Sequence, residues 1–391
     1  MTSGRTYEST HPWLSFRVDL KSAPPRLWML LGEARSKIEH IAGTPLKPIV
    51  AERLHQMFLA KGVHATTAIE GNTLTEAQAL QAVEGSLRLP PSQEYLGQEL
   101  TNIVVACNEI VERLQVSPRS DLDPEPIKRF NGQVLAKLQL PPEVVPGEIR
   151  THSVVVGRYR GAPAEDCAYL LDRMCQWLNG PEFASPEPDL EMPYAIVKAI
   201  VAHLYFAWIH PFGDGNGRTA RLIELQILLA AGVPTPAAHL LSNHYNLTRA
   251  EYYRQLARTS ESGEVVPFIQ YAVAGFVDGL RDQLALVKKQ QLDDRWEQFI
   301  YETFGGRHTS ADRRKRQLAL DLTKAQRPVP RSEIGMLTPE LAAAYAGKGP
   351  KALTRDLNDL VKLQLIIQSE AGYLPRSERI RAFMPLSVKS G

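Results

Sequence analysis

Sulfur is scarce in this chain: only three of 391 residues are cysteine, Cys107, Cys167 and Cys175. An odd number with no CxxC spacing implies neither a disulfide framework nor a cysteine zinc cluster. An excess of charge is lacking too, because 45 Lys and Arg stand against 43 Asp and Glu for a net +2, and that balance selects no particular partner. The first residues, MTSGRTYESTHPWLSF, contain no continuous apolar run of the secretory kind, and later apolar runs are interrupted. No membrane association is therefore expected, and a cytoplasmic location is. What remains, 44% hydrophobic and 23% charged residues, is ordinary for a globular chain long enough for two or three domains.

Against that plain background one stretch stands out: HPFGDGNGRTAR, His210 to Arg221, immediately before the helical run TARLIELQILLAAG. Gly213, Gly215 and Gly217 alternate with polar residues, so unhindered backbone can turn several N–H groups toward one anion at a helix N-terminus. Asp214 offers a hard carboxylate oxygen to a divalent cation, Arg218 and Arg221 can fork onto phosphate oxygens, and His210 is expected to titrate near neutrality. A P-loop is excluded, since it needs glycine five places before Gly217 and a Lys-Ser or Lys-Thr pair after it, where Phe212 and Arg218 stand. A dinucleotide fingerprint is excluded by the strict alternation of the glycines and by the helical segment before them. That segment, residues 192–209, is apolar almost all round and reads as a buried central helix ending at Pro211. His203 lies on roughly the same face as His210; it reads as a core histidine rather than as a zinc ligand with His210 and Asp214.

Every defined position of this stretch resembles the Fic family pattern, His-Pro-Phe-x-(Asp/Glu)-Gly-Asn-Gly-Arg-x-x-Arg. The resemblance implies a mainly α fold: a Fic-type helical core with a small β-hairpin flap, here joined to an N-terminal helical region and a C-terminal winged helix. It implies ATP as substrate, with magnesium on Asp214, and phosphates bound by Gly215, Asn216, Gly217, Arg218 and Arg221. His210 would act as general base, releasing pyrophosphate and leaving AMP on a Ser, Thr or Tyr hydroxyl of a target protein. Upstream, GEIRTHSVVVGRYRGAPAED reads by itself as a short hairpin turning at Gly157. By resemblance Val154, Val155, Val156 and Gly157, with Gly147 and Arg150 before them, form a flap over the nucleotide site that also aligns an extended target chain by strand addition. TTAIEGNTL resembles the family's inhibitory motif, placing Glu70 against Arg221 where the γ-phosphate must bind, the arrangement called class II. On local grounds Glu70 merely closes a short helical stretch capped by Gly71, and Thr75 with Gln78 forms a capping box. Tyr252 and Tyr253 resemble the tyrosine pair beside the nucleotide, whereas Ser260 and Glu261 depart from the polar base contact the pattern places there.

Proline-rich or charged segments divide the chain at 117–126, within GPEFASPEPD, and at 325–333. The expected divisions are an N-terminal helical region at 1–116, a catalytic core at 117–285, and a linker helix with winged helix at 286–391. In the last, Leu353, Leu357, Leu360 and Val361 recur at helical spacing before a small hairpin, with Lys351 and Arg355 exposed. DNA contact stays open for that module, but the modest basic excess favours protein docking or dimerisation. Self-modification stays open, as do two other functions: hydrolysis of AMP from a modified protein at the same site, and a DNA-binding regulator whose pocket senses nucleotide.

Overall fold

Residues 192–209 can hide an all-round apolar surface only at the centre of other helices, and the computed structural model places them there. It describes residues 4–117, 121–157, 159–349 and 351–380; residues 118–120 of the first linker, Arg158 of the hairpin and Pro350 of the GKGP turn lie outside these. The central helix is Glu191–Ile209, with Ile196, Ile200, Leu204, Phe206 and Trp208 all buried. By length and hydropathy the stretch Pro188–Ile209 would pass for a membrane span, contrary to the expectation that apolar runs are too interrupted. Its window is 78% buried, as a core helix requires.

Around it pack Pro25–Ala42, Cys167–Leu178 and Asn216–Ala230. The last of these also meets Glu94–Val116 and Pro124–Val134. The chain divides into two compact units, Met1–Leu284 and Ala285–Gly391. In the first, one continuous apolar core runs from Leu14 to Leu280, so the N-terminal helices and those around the glycine loop share it. The helix leading to Glu70 is Pro48–Ala68, 21 residues rather than a short stretch. After it the Thr75–Gln78 capping box is fully formed at the start of Glu76–Val83.

The first hairpin pairs Val155–Val156 with Tyr159–Arg160, in register Val155 to Arg160 and Val156 to Tyr159. The second unit holds helices Ser310–Ala325, Arg331–Ile334, Pro339–Tyr345 and Lys351–Lys362, then a hairpin of Ile366–Ser369 and Gly372–Pro375. Val329 bridges to Tyr373 from outside the hairpin through two hydrogen bonds, of 3.0 and 2.9 Å. Leu357 and Leu360 face this unit's core; Val361 is exposed instead, because the inward face centres on Ala352, Asp356, Leu357 and Leu360. The fold is thus mainly α with two small antiparallel hairpins.

Candidate active site

His210 owes its position to the residue after it, because proline cannot continue a helix and disfavours helical backbone before it. His210 takes left-handed angles, φ 51° and ψ 59°, and its N–H still caps Phe206 O at 2.9 Å. Its Nδ1 lies 3.3 Å from Ala207 O. A carbonyl only accepts, so Nδ1 carries the proton and Nε2 is left with its lone pair. Burial pushes the imidazole down to about 4, against a small opposing effect of the Ala207 hydrogen bond. The expected near-neutral titration is corrected: the ring is neutral throughout the physiological range, because desolvation penalises the imidazolium.

The loop after it closes on itself. Asn216 Oδ1 accepts from Phe212 N at 3.0 Å and its Nδ2 donates to Phe212 O at 2.8 Å, so this side chain shapes the loop. Gly215 has φ 73°, a conformation natural to glycine, and starts the helix Asn216–Ala230. Asp214 is held through its own carbonyl by Asn131 Nδ2 at 2.8 Å, leaving its carboxylate 49% exposed and 3.4 Å from Arg218. Among the described residues no group of three His, Cys, Asp or Glu could hold a metal by itself. A cation here would take one carboxylate from the protein and its other oxygens from phosphate and water, the habit of magnesium.

Both loop arginines are buried and engaged by acids from the N-terminal helices. Arg221 Nη2 lies 2.5 Å from Glu70 Oε1, and Thr66 accepts from Nε and Nη2 through its hydroxyl and carbonyl, at 2.6 and 2.8 Å. The Glu70 carboxylate, ringed by protein yet with 33% of its side chain open to a hollow, loses some stability to burial. The Arg221 charge and hydrogen bond overcome that and hold it below the usual carboxylate range. A Cβ on Gly217 would overlap Glu70 Oε1 and stand 3.2 Å from Arg221 Nη1, itself buried without a partner. The acid therefore lies directly over the glycine backbone, and an unspent donor lies beside it. Arg218 meets Glu99 at 3.2 Å, and Asn72 Nδ2 donates to the other oxygen of Glu99 at 2.8 Å. Sequence reasoning missed Glu99; it sits in an unremarkable helix, and only its 119-residue separation from Arg218, closed by folding, gives it meaning.

The hairpin is fastened beside His210. Arg150 donates to the carbonyls of His210, His152 and Ala162, at 2.7, 2.6 and 2.5 Å, and its backbone N–H donates to Pro211 O at 3.0 Å. From the other side, buried His11 places Nε2 2.9 Å from Arg160 O, a strap from the N-terminal segment that no local signal announced. Val155 and Val156 are 58% and 44% exposed, and among the described residues their strand pairs only with Tyr159–Arg160, so its other edge is open. Gly161 N bonds to Val154 O at 3.1 Å, which extends the ladder by one rung.

A hollow of about 460 Å³ is lined by Glu70, Val156, Gly157, His210, Gly217 and Tyr252 among others, while Arg218 and Arg221 lie outside its lining. Tyr252 stacks on Tyr245 with centroids 4.8 Å apart, and its hydroxyl meets His203 Nε2 at 2.9 Å. His203 is fully buried, with Glu224 Oε2 3.0 Å from its Nδ1, in keeping with a core histidine. Tyr253 also lines the hollow and donates to Ile69 O at 3.3 Å. Ser260 turns to Ala257 O at 2.8 Å, so neither it nor Glu261 lines the cavity.

Residues 121–228 match the model of the Fic/DOC family. The chain is 30% identical over 209 residues to a protein adenylyltransferase fic-1 of Caenorhabditis briggsae, covering 54% of this chain and 38% of that one. Against a protein adenylyltransferase Fic of Drosophila ananassae it is 28% identical over 214 residues, with the same coverage. It thus spans under two fifths of the length of these relatives. Among solved structures, a Fic family protein from Desulfovibrio desulfuricans G20 superposes with a TM-score of 0.55 at 20% identity, over 90% of this chain and 93% of that chain. A fragment of Fic-1 from C. elegans, residues 134–508, gives 0.56 at 23%, over 67% and 73%. These likenesses establish the helical fold.

Proposed function

Because residues 121–228 match the model of the Fic/DOC family, we propose that the chain is a protein adenylyltransferase. It moves AMP from ATP to a Ser, Thr or Tyr hydroxyl of an extended protein segment, its own included, and Glu70 restrains it. The observation that carries this reading is the convergence on one hollow of a neutral imidazole with a free Nε2, the Gly217 backbone, Val156 and Gly157 of the hairpin, and Glu70, which holds the buried Arg221.

In this mechanism the target chain lies along the Val155–Val156 edge, where backbone hydrogen bonds set its register without reading its side chains. Nε2 of His210 takes the hydroxyl proton as the hydroxyl oxygen attacks the α-phosphorus. The new P–O bond forms as the bond to the bridging oxygen breaks, and pyrophosphate carries off the electron pair. The loop N–H groups, Arg218 and the spare Nη1 of Arg221 stabilise charge on the phosphate oxygens. Magnesium suits Asp214, whose carboxylate is half open beside Arg218, and it would neutralise phosphate charge there. With Glu70 seated on Arg221 the terminal phosphate has no room, which supports autoinhibition.

Incubating the Glu70→Gly chain with magnesium and ATP labelled at the α- or γ-phosphate tests the reaction. The α-label should enter protein and the γ-label should not, and His210→Ala should lower incorporation at least about 100-fold. Transfer of the γ-label, or labelling that survives His210→Ala, would overturn the assignment.

A further inference from the structure

Charge is distributed unevenly between the two units. Residues 285–391 hold 19 Lys and Arg against 12 Asp and Glu, a net of +7, so residues 1–284 carry −5 of the chain's overall +2. The near-neutral total conceals a basic module attached to an acidic catalytic unit. Asymmetry of this kind is the electrostatic footprint of a polyanion-binding part.

Within the basic unit three of these cations line one helix face. On Lys351–Lys362, the residues Lys351, Arg355, Asn358 and Lys362 are all exposed and spaced i, i+4, i+7 and i+11. At about 100° per residue these four fall within roughly 60° of arc. The buried Ala352, Asp356, Leu357 and Leu360 occupy the opposite side. The helix's own acids are removed from the exposed face. Asp356 turns inward to Arg314 Nε at 2.7 Å and the Tyr345 hydroxyl at 2.9 Å, and Asp359 pairs with Lys315 at 3.4 Å. Among the described residues no carboxylate engages Lys351, Arg355 or Lys362. Two further cations border the stripe: exposed Arg331, whose Nη2 donates to Thr354 Oγ1 at 2.5 Å, and exposed Lys348 just before the helix.

We infer that this helix face docks in the major groove of duplex DNA, with the second hairpin beside it. The groove admits one α-helix, phosphates on both walls match a stripe of cations, and Arg355 and Asn358 at its middle are the residue types that read base edges. The hairpin tip carries Glu370 and no cation, so the helix supplies the phosphate contacts. The neutralised inner acids argue against a cationic protein partner, and a flat acidic protein surface would not require a convex, single-helix stripe.

The test measures fluorescence anisotropy of a labelled mixed-sequence 20-bp duplex titrated with the full chain across a salt series. If about three cations meet phosphates, affinity should fall about 40-fold between 50 and 200 mM salt. The triple variant Lys351→Ala, Arg355→Ala, Lys362→Ala should bind at least about tenfold more weakly at low salt with a flatter salt slope. All three side chains are exposed, so its melting curve and its incorporation of α-label should match the parent. Absence of duplex binding at 50 mM salt, equal binding by parent and triple variant, or tighter stripe-dependent binding to single-stranded RNA would each overturn the inference. None of these outcomes depends on whether His210 transfers AMP.

Discussion

Replacing Glu70 with glycine takes away a carboxylate 2.5 Å from a guanidinium that is only 2% exposed. A hydrogen bond between charged groups contributes about 1.5–3 kcal/mol. A third of the Glu70 side chain faces the hollow, so solvent screens the pair and about 2 kcal/mol is appropriate. At 1.4 kcal/mol per factor of ten, Glu70→Gly should tighten binding of a non-hydrolysable ATP analogue about 30-fold. Thr66 still accepts twice from Arg221, so the guanidinium stays in place to meet the incoming phosphate. Without ligand the variant should melt lower, since Arg221 keeps its buried charge and loses its carboxylate. Saturating analogue should then stabilise the variant more than the parent. Titration calorimetry of both proteins with the ATP analogue and with AMP is the assay. AMP lacks the terminal phosphate and should show little gain. Unchanged ATP affinity, or an equal gain for AMP, would refute the idea that Glu70 occupies the terminal-phosphate position.

Two further outcomes follow from the same geometry. Gly217→Ala should destabilise the parent, because its Cβ overlaps Glu70 Oε1, yet be tolerated or favourable in the Glu70→Gly background, where alanine is the better helix former. A thermal-melt double-mutant cycle should give a coupling of about 1 kcal/mol or more, and zero coupling would mean the two groups do not overlap. For pH, burial places His210 at about 4, so the base form is complete above that value and is lost below it. The profile of kcat/KM, which reports the free enzyme, should stay flat with respect to this group from about pH 5 to 8. The Glu70 charge raises the His210 value, so Glu70→Gly should move the acid limb lower still. A limb centred near the ordinary imidazole value of about 6.5 would contradict the desolvation of the ring.

Much of the active loop was legible because its chemistry is local. From His210 to Arg221 the residues that bend the chain, cap the helix and present the imidazole are neighbours in sequence, and their order alone specifies the turn. The same holds for the Thr75–Gln78 box and for the buried helix ahead of Pro211, whose all-round apolarity has one packing solution. Other features left no local trace. Glu99 is one acid among many until folding brings it to Arg218, and His11 gives no hint that it straps the hairpin. Asn216 reads as an anion ligand, whereas its side chain is spent on the Phe212 backbone. The cationic stripe on Lys351–Lys362 disappears into a balanced total until the inward pairing of Asp356 and Asp359 is seen.

The amino-acid order by itself determined the helical architecture, the glycine-rich turn after His210 and the capping of the helices that flank it. Those depend on backbone preferences and on hydrophobic periodicity, which operate over a few residues. Tertiary structure alone decided that His210 is neutral, that Glu70 covers Gly217 and that Arg218 has an acidic partner. Each of these depends on solvent exclusion and on charges between 119 and 151 residues apart along the chain, and a desolvated environment exists only once the helices have closed around it.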